Sequence, residues 1–201
     1  MKSDKRWLQR QNRDPYVKLA RNSNYRSRAV YKLQEIDQKD RLLHPGQLVV
    51  DLGAAPGSWS QYVSEKVRPT GKVIALDILE MQAIHEVEFI QGDFTEQQVF
   101  DQCLQSLSGR HADLVISDLS PNLTGIRDTD QARSMYLAEL VLDFACQVLT
   151  PRGGLLLKVF EGSGMGQFKK SLHQQFQRVS IRKPDASRSG SREFYILARR
   201  A

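Results

Sequence analysis

From residue 47 onward, short apolar runs that close on an acid alternate with helical patterns, and this alternation restricts the chain to few architectures. Gln47–Leu52 is strand-like and closes on Asp51, and Lys72–Leu76 closes on Asp77. Val87–Ile90 leads to Asp93, and Asp113–Ser117 to Asp118. Between and after these runs, Trp59–Val67, Asp130–Leu149 and Gln167–Phe176 carry helical spacing. Leu137, Leu140, Val141, Phe144 and Val148 form one stripe of the long helix. Thr150–Gly154, with Pro151 and two glycines, is expected to end that helix before a fifth strand, Leu155–Phe160. Arg178–Arg182 and Glu193–Ala198 read as two closing strands. Such a pattern predicts an α/β fold, a mostly parallel sheet with helices on both faces. Ligands bind such sheets at the carboxyl ends of their strands, where Asp51, Asp77, Asp93 and Asp118 all fall. Taken singly, each acid is as well explained as a cap or turn residue; the ordered set is not.

The turn after the first strand is the most informative local segment, Val50-Asp51-Leu52-Gly53-Ala54-Ala55-Pro56-Gly57-Ser58-Trp59. Gly53 and Gly57 allow close approach of the backbone to a ligand. The turn lacks the G-x-G-x-x-G of dinucleotide binders, and Pro56 removes an amide donor that a pyrophosphate would use. A ligand without phosphates suits it better. Asp77 is placed to hold two ribose hydroxyls, and Asp93 an adenine edge.

Charge points to the partner. The chain of 201 residues has a net charge of +6, and its cations crowd the two ends. Lys2, Lys5, Arg6, Arg10, Arg13, Lys18, Arg21, Arg26, Arg28 and Lys32 precede the first strand, while Arg178, Arg182, Lys183, Arg188 and Arg192 lie near the other end. Basic ends around a more acidic centre suit a polyanion such as RNA, although a solvated basic face is the plainer explanation of charge alone. Arg26, Arg28, Arg182, Lys183, Arg188 and Arg192 are the candidate phosphate contacts. Cys103 and Cys146 are the only cysteines, and the four histidines are scattered, so no metal site is expected. No stretch has the length and apolarity of a membrane span, and the polar start of the chain has no leader-like apolar core. A cytoplasmic location without membrane association is therefore expected. Nothing demands more than a monomer. The chain divides into a basic arm, residues 1–24, and one domain, residues 25–201.

Lys158 interrupts the apolar run Leu155-Leu156-Leu157-Lys158-Val159-Phe160. Burying an amine there is costly without a role; a strand-end lysine reaching water explains it equally well from the strand alone.

The DLGAAPGSW turn is very similar to the S-adenosylmethionine loop of the FtsJ/RrmJ-type RNA 2′-O-methyltransferases. The similarity continues, in order, through RSRAVYKL (26–33), QGDF (91–94), SDLSPNLTG (117–125), LLLKVFEG (155–162) and RKPDASRSGSREFYI (182–196). Within that family the chain most resembles the bacterial branch that methylates a uridine ribose in large-subunit ribosomal RNA. The resemblance implies a Rossmann-like methyltransferase fold whose seven-stranded sheet has an antiparallel last strand. It implies S-adenosylmethionine as cofactor, held around Asp51, Gly53, Pro56, Gly57, Trp59, Asp77, Asp93 and Asp118. It also implies a catalytic tetrad of Lys32, Asp118, Lys158 and Glu193. In these roles Lys158 is the general base for the 2′-hydroxyl, Lys32 tunes it or holds the nucleophile, Asp118 orients it, and Glu193 orients the lysines or ribose. Ser58 and Ser120 depart from the family's usual glycine and alanine. Its implied partner is ribosomal RNA, within the large subunit.

Three other readings compete. Relatives acting on transfer RNA or an mRNA cap share the tetrad, but the compact length and bacterial-type motifs favour ribosomal RNA. A non-catalytic RNA-binding assembly factor need not keep both tetrad and loop. A nicotinamide-dependent dehydrogenase fits neither the Pro-containing turn nor the lack of a hydride-transfer site.

Overall fold

The computed structural model describes residues 14–122, 124–188 and 190–200. Trp7 and the arm's first cations lie outside the described residues. In chain order the elements are α1 (Pro15–Asn22), α2 (Val30–Asp40), β1 (Leu48–Leu52), α3 (Ser58–Val67), β2 (Lys72–Asp77) and β3 (Val87–Gln91). They continue as α4 (Gln97–Ser106), β4 (Ala112–Ser117), α5 (Arg127–Val148), β5 (Leu149–Phe160), α6 (Met165–Gln175), β6 (Arg178–Arg182) and β7 (Glu193–Arg199). The strands form one sheet in the order β3-β2-β1-β4-β5-β7-β6. β1 to β5 pair in parallel, and β7 runs antiparallel between β5 and β6. This is the architecture expected from the alternation and the resemblance.

Strand periodicity sorts the side chains into two layers. Val50, Leu52, Val115, Leu155, Leu157 and Ile196 pack under α4, α5 and α6. Val49, Ile116, Leu156, Tyr195 and Leu197 face α2 and α3. Asp51, Asp118, Lys158 and Glu193 continue the second set by steps of two along their strands, so the sequence pattern itself brings these chemical groups to the α2/α3 side.

Three expectations change. The segment 150–154 follows the end of the long helix, as expected, but it lies within β5, which begins at Leu149 directly after α5 and not at Leu155. Leu149 pairs with Ala112 and Gly154 with Leu114, so 150–153 bulges out between two ladder positions. Pro151, having no N–H, sits there without breaking a ladder bond. The long helix begins at Arg127, three residues before Asp130. The ten-residue helix α4 was signalled only by the apolar surroundings of Cys103; its glutamines dilute the stripe formed by Val99, Cys103 and, just beyond the helix, Leu107.

Residues 14–24 pack on the domain. Asp14 caps α1 by accepting from the Tyr16 amide and pairs with Arg28 Nε at 3.0 Å; Ala20 is buried. Helix α2 is tied down at three points. Arg28 Nη2 donates to the Ala186 carbonyl, Glu35 accepts from the Asp185 and Ala186 amides, and Arg182 makes a two-pronged pair with Asp40 at 2.7 and 2.6 Å.

Asp51 is fully buried beneath α3. Ser60 Oγ donates to its Oδ2 at 2.6 Å, while Oδ1 has no partner among the described residues. Burial, reinforced by the Asp118 and Asp77 carboxylates, outweighs the Ser60 bond and raises its pKa from 3.8 to about 7. Between those values the folded chain holds the proton that the unfolded chain has released, so this group makes stability fall as pH rises, with the full cost present above about 7. Asp51→Asn is expected to remove that dependence. From pH 5 to pH 8 the melting temperature of the native protein should drop by about 5 °C relative to the variant. Parallel pH profiles would contradict the assignment.

Candidate active site

Four strand ends and two loops enclose a cavity of about 680 Å³, a size common for small-molecule sites. Gly53 and Ala55 form its floor beside Asp77. Asp93 and Phe94 line one end, and residues 118–122 with Arg133 and Tyr136 the other. It lies where strand order reverses, beside β1 and β4, as the rule for such sheets requires. A separate cleft of about 540 Å³ between β3 and α4 includes the Lys72–Glu88 ion pair but none of the strand-end carboxylates, so it lacks the chemistry of the first.

The glycine turn explains itself locally. Gly53 has φ +81°, and a Cβ there would stand 2.9 Å from the Leu119 amide nitrogen. Gly57 has φ +106°; a Cβ there would collide with Met81, Ile84 and the Arg26 guanidinium. Arg26 itself donates to the carbonyls of Pro56, Gln82 and Ala83, strapping the turn to the loop after β2. Asp77 accepts from the Ala55 amide at 2.9 Å and the Leu79 amide at 2.8 Å, which fixes both its oxygens at the cavity wall. Asp93 accepts from the Thr95 amide and hydroxyl. The hydroxyl of Ser58 is within 2.7 Å of that of Ser27, so the side chain that departs from the family's glycine joins α3 to the segment before α2.

Of the eight residues expected around the cofactor, Gly53, Asp77, Asp93 and Asp118 line the cavity. Asp51 lies beneath it. Pro56 and Gly57 belong to the strapped turn. Trp59 is buried: its Nε1 donates to the Ala29 carbonyl at 2.8 Å, and its ring lies 5.8 Å from that of Tyr195.

Beside the cavity the four expected catalytic residues form two ion pairs. Lys158 Nζ donates to the Asp118 carbonyl at 2.6 Å and lies 3.2 Å from Asp118 Oδ1. Lys32 Nζ lies 2.6 Å from Glu193 Oε1. Both lysines are nine-tenths or more buried. Tyr195 joins the pairs. It stands opposite Lys158 in the β5–β7 ladder, donates its hydroxyl to Asp118 Oδ1 at 2.8 Å, and carries Lys32 Nζ 5.9 Å above its ring. Burial first, then the Asp118 and Glu193 carboxylates, pushes the Tyr195 phenol well up, so it remains a neutral donor. Tyr195 thus belongs to both the core and the candidate site. Its position two residues beyond Glu193, on the same strand face, was the available signal.

The expected phosphate contacts fare differently. Arg26, Arg28 and Arg182 are committed to the loop strap, Asp14 and Asp40 respectively. Lys183 donates to the carbonyls of Ser191 and Glu193. Arg188 and Arg192 remain exposed, with only long contacts at 4.0 Å to Asp14 and 3.5 Å to the Glu161 carbonyl. Much of the basic charge beside the catalytic segments therefore braces α2 and the loops around the tetrad.

Known proteins match this chain along almost its whole length. The family model of FtsJ-like methyltransferases covers residues 25–201. A protein of Marinobacter nauticus named ribosomal RNA large subunit methyltransferase E is 56% identical over 98% of this chain and 96% of its own length. A protein of the same name from Pseudomonas aeruginosa is 54% identical over the same shares. Among solved structures, a ribosomal RNA methyltransferase of Plasmodium falciparum superposes with a TM-score of 0.79 at 30% identity, over 87% of this chain and 97% of that one. The chain belongs to the FtsJ-like methyltransferase family.

Proposed function

We propose that the protein transfers a methyl group from S-adenosylmethionine to the 2′-hydroxyl of a uridine in large-subunit ribosomal RNA, acting in the cytoplasm as a monomer. The observation that carries this reading is the pairing of the buried Lys158 with Asp118, which itself lines the strand-end cavity. The names of the relatives supply the RNA and the subunit.

The cavity suits the cofactor. Asp77 retains acceptor capacity for ribose hydroxyls beyond its two amide bonds, and the absence of a Cβ at Gly53 lets the turn close onto Leu119 at the cavity wall. Asp93 and Asp118 also line the cavity, and the Asp118 carboxylate would favour the cofactor's positive charge. When bound, S-adenosylmethionine supplies an electrophilic methyl group.

The chain's own residues prepare the oxygen. A ribose hydroxyl is a weak nucleophile and a very weak acid, so position and proton removal both count. Lys158 has two of its three directions taken by Asp118, leaving one for the 2′-hydroxyl. In its neutral form it would accept the hydroxyl proton, readying the oxygen for the methyl group that the cofactor would supply. Asp118, held by Tyr195, fixes the amine's aim. Lys32, steadied by Glu193, holds the ribose or an adjacent phosphate. The basic arm, residues 1–24, adds affinity for the RNA backbone to the domain at 25–201.

The test is transfer of labelled methyl from S-adenosylmethionine to large subunits lacking the modification, to their naked RNA, and to bulk transfer RNA. Nuclease digestion then locates the label. Ribose label on the subunits or their RNA is expected. Label on a base, or on transfer RNA alone, overturns the chemistry or the substrate respectively.

A further inference from the structure

A second, smaller hollow of about 200 Å³ lies behind the loop after β4. Pro121 borders both it and the cofactor cavity, so this loop separates the two. Its other walls are Phe160, at the end of β5, Gln131 and Ser134, one turn apart on α5, and Arg192, just before β7. The Phe160 ring centroid is 5.9 Å from Lys158 Nζ. Any nucleotide that presents its 2′-oxygen to Lys158 must put its base close by, and Phe160 links this hollow to that amine.

The lining has the character of a base site. Phe160 and Pro121 offer apolar surfaces for a ring. Gln131 and Ser134 are both over nine-tenths buried. The Gln131 Nε2 donates to the carbonyls of Ser163 at 3.1 Å and Phe160 at 3.4 Å, which fixes the amide's orientation. Its Oε1 is then left as an acceptor, with no partner among the described residues, and the same holds for the Ser134 hydroxyl. The exposed Arg192 guanidinium supplies donors at the mouth. Asp130, also at the wall, makes the hollow a poor place for a phosphate.

We propose that this hollow receives the base of the acceptor nucleotide and that Gln131, Ser134 and Arg192 select uracil. The inference rests on the reading of the protein as a ribose methyltransferase and adds the residues that choose the base. Uracil presents carbonyl, N3–H and carbonyl along its pairing edge. The Gln131 acceptor, the Ser134 hydroxyl and the Arg192 donors are the groups that such an edge needs. Cytosine offers an acceptor at N3, where it would face the Gln131 oxygen.

Binding tests this without any methyl transfer, so its failure is separable from failure of the labelling assay. The full chain is titrated with uridine, cytidine and 3-methyluridine while side-chain amide resonances are followed by NMR. The Gln131 signal is identified by its loss in Gln131→Leu. Uridine should shift that signal and bind about tenfold more tightly than cytidine or 3-methyluridine. Gln131→Leu should abolish the preference, and Ser134→Ala should weaken uridine severalfold while retaining the Gln131 response. Equal binding of the three nucleosides, a preference that survives in Gln131→Leu, or no response to uridine at tens of millimolar would each overturn the proposal.

Discussion

An amine in the middle of an apolar strand is the constraint around which this molecule is organised. Lys158 is surrounded by leucines and valine in sequence and is nine-tenths buried in the fold. Such a group is tolerable only if its hydrogen bonds are met, and removing one partner of a buried pair costs about 3–5 kcal/mol. Asp118 meets the need twice, through its carbonyl and its carboxylate, and Tyr195 holds the carboxylate in turn. β7 must therefore lie beside β5 with Tyr195 opposite Lys158, which its antiparallel insertion achieves. The same register puts Glu193 on the same face, where it meets Lys32.

That arrangement explains why so much basic charge is spent internally. Lys32 belongs to a helix outside the sheet, so its ammonium is only as well placed as α2 is. Arg28, Glu35 and the Arg182–Asp40 fork fasten that helix to the loop before β7 and to β6. The loop 118–122 has the complementary role. One of its sides walls the cofactor cavity, Pro121 borders the hollow beside Phe160, and Asp118 stands at its root. In the proposed reaction, donor and acceptor would thus approach Lys158 from two sides of one short segment.

The fold was readable because apolar runs of period two, closed by acids, have few solutions. Strand-end acids and the glycine turn located the cavity without coordinates. Other features were not readable, for identifiable reasons. The β5 bulge looked like a break because Pro151 and two glycines mark an interruption without saying whether the ladder resumes pairing around it. Arg26, Arg28 and Arg182 looked available for phosphate because a sequence shows charges and not their partners. Trp59, in the cofactor motif, is packed between α2 and β7, a position that depends on long-range contacts. The hollow at Gln131 and Ser134 comes from four segments distant in sequence, none with a recognisable pattern.

Whether the Lys158 amine takes the ribose proton is read from the single-turnover rate of Lys158→Met. Methionine keeps the length of the chain and removes the base. With RNA and S-adenosylmethionine saturating, the account predicts a fall in the methyl-transfer rate of about 10²–10⁴-fold. A rate within about tenfold of the native protein, well short of that range, would contradict it.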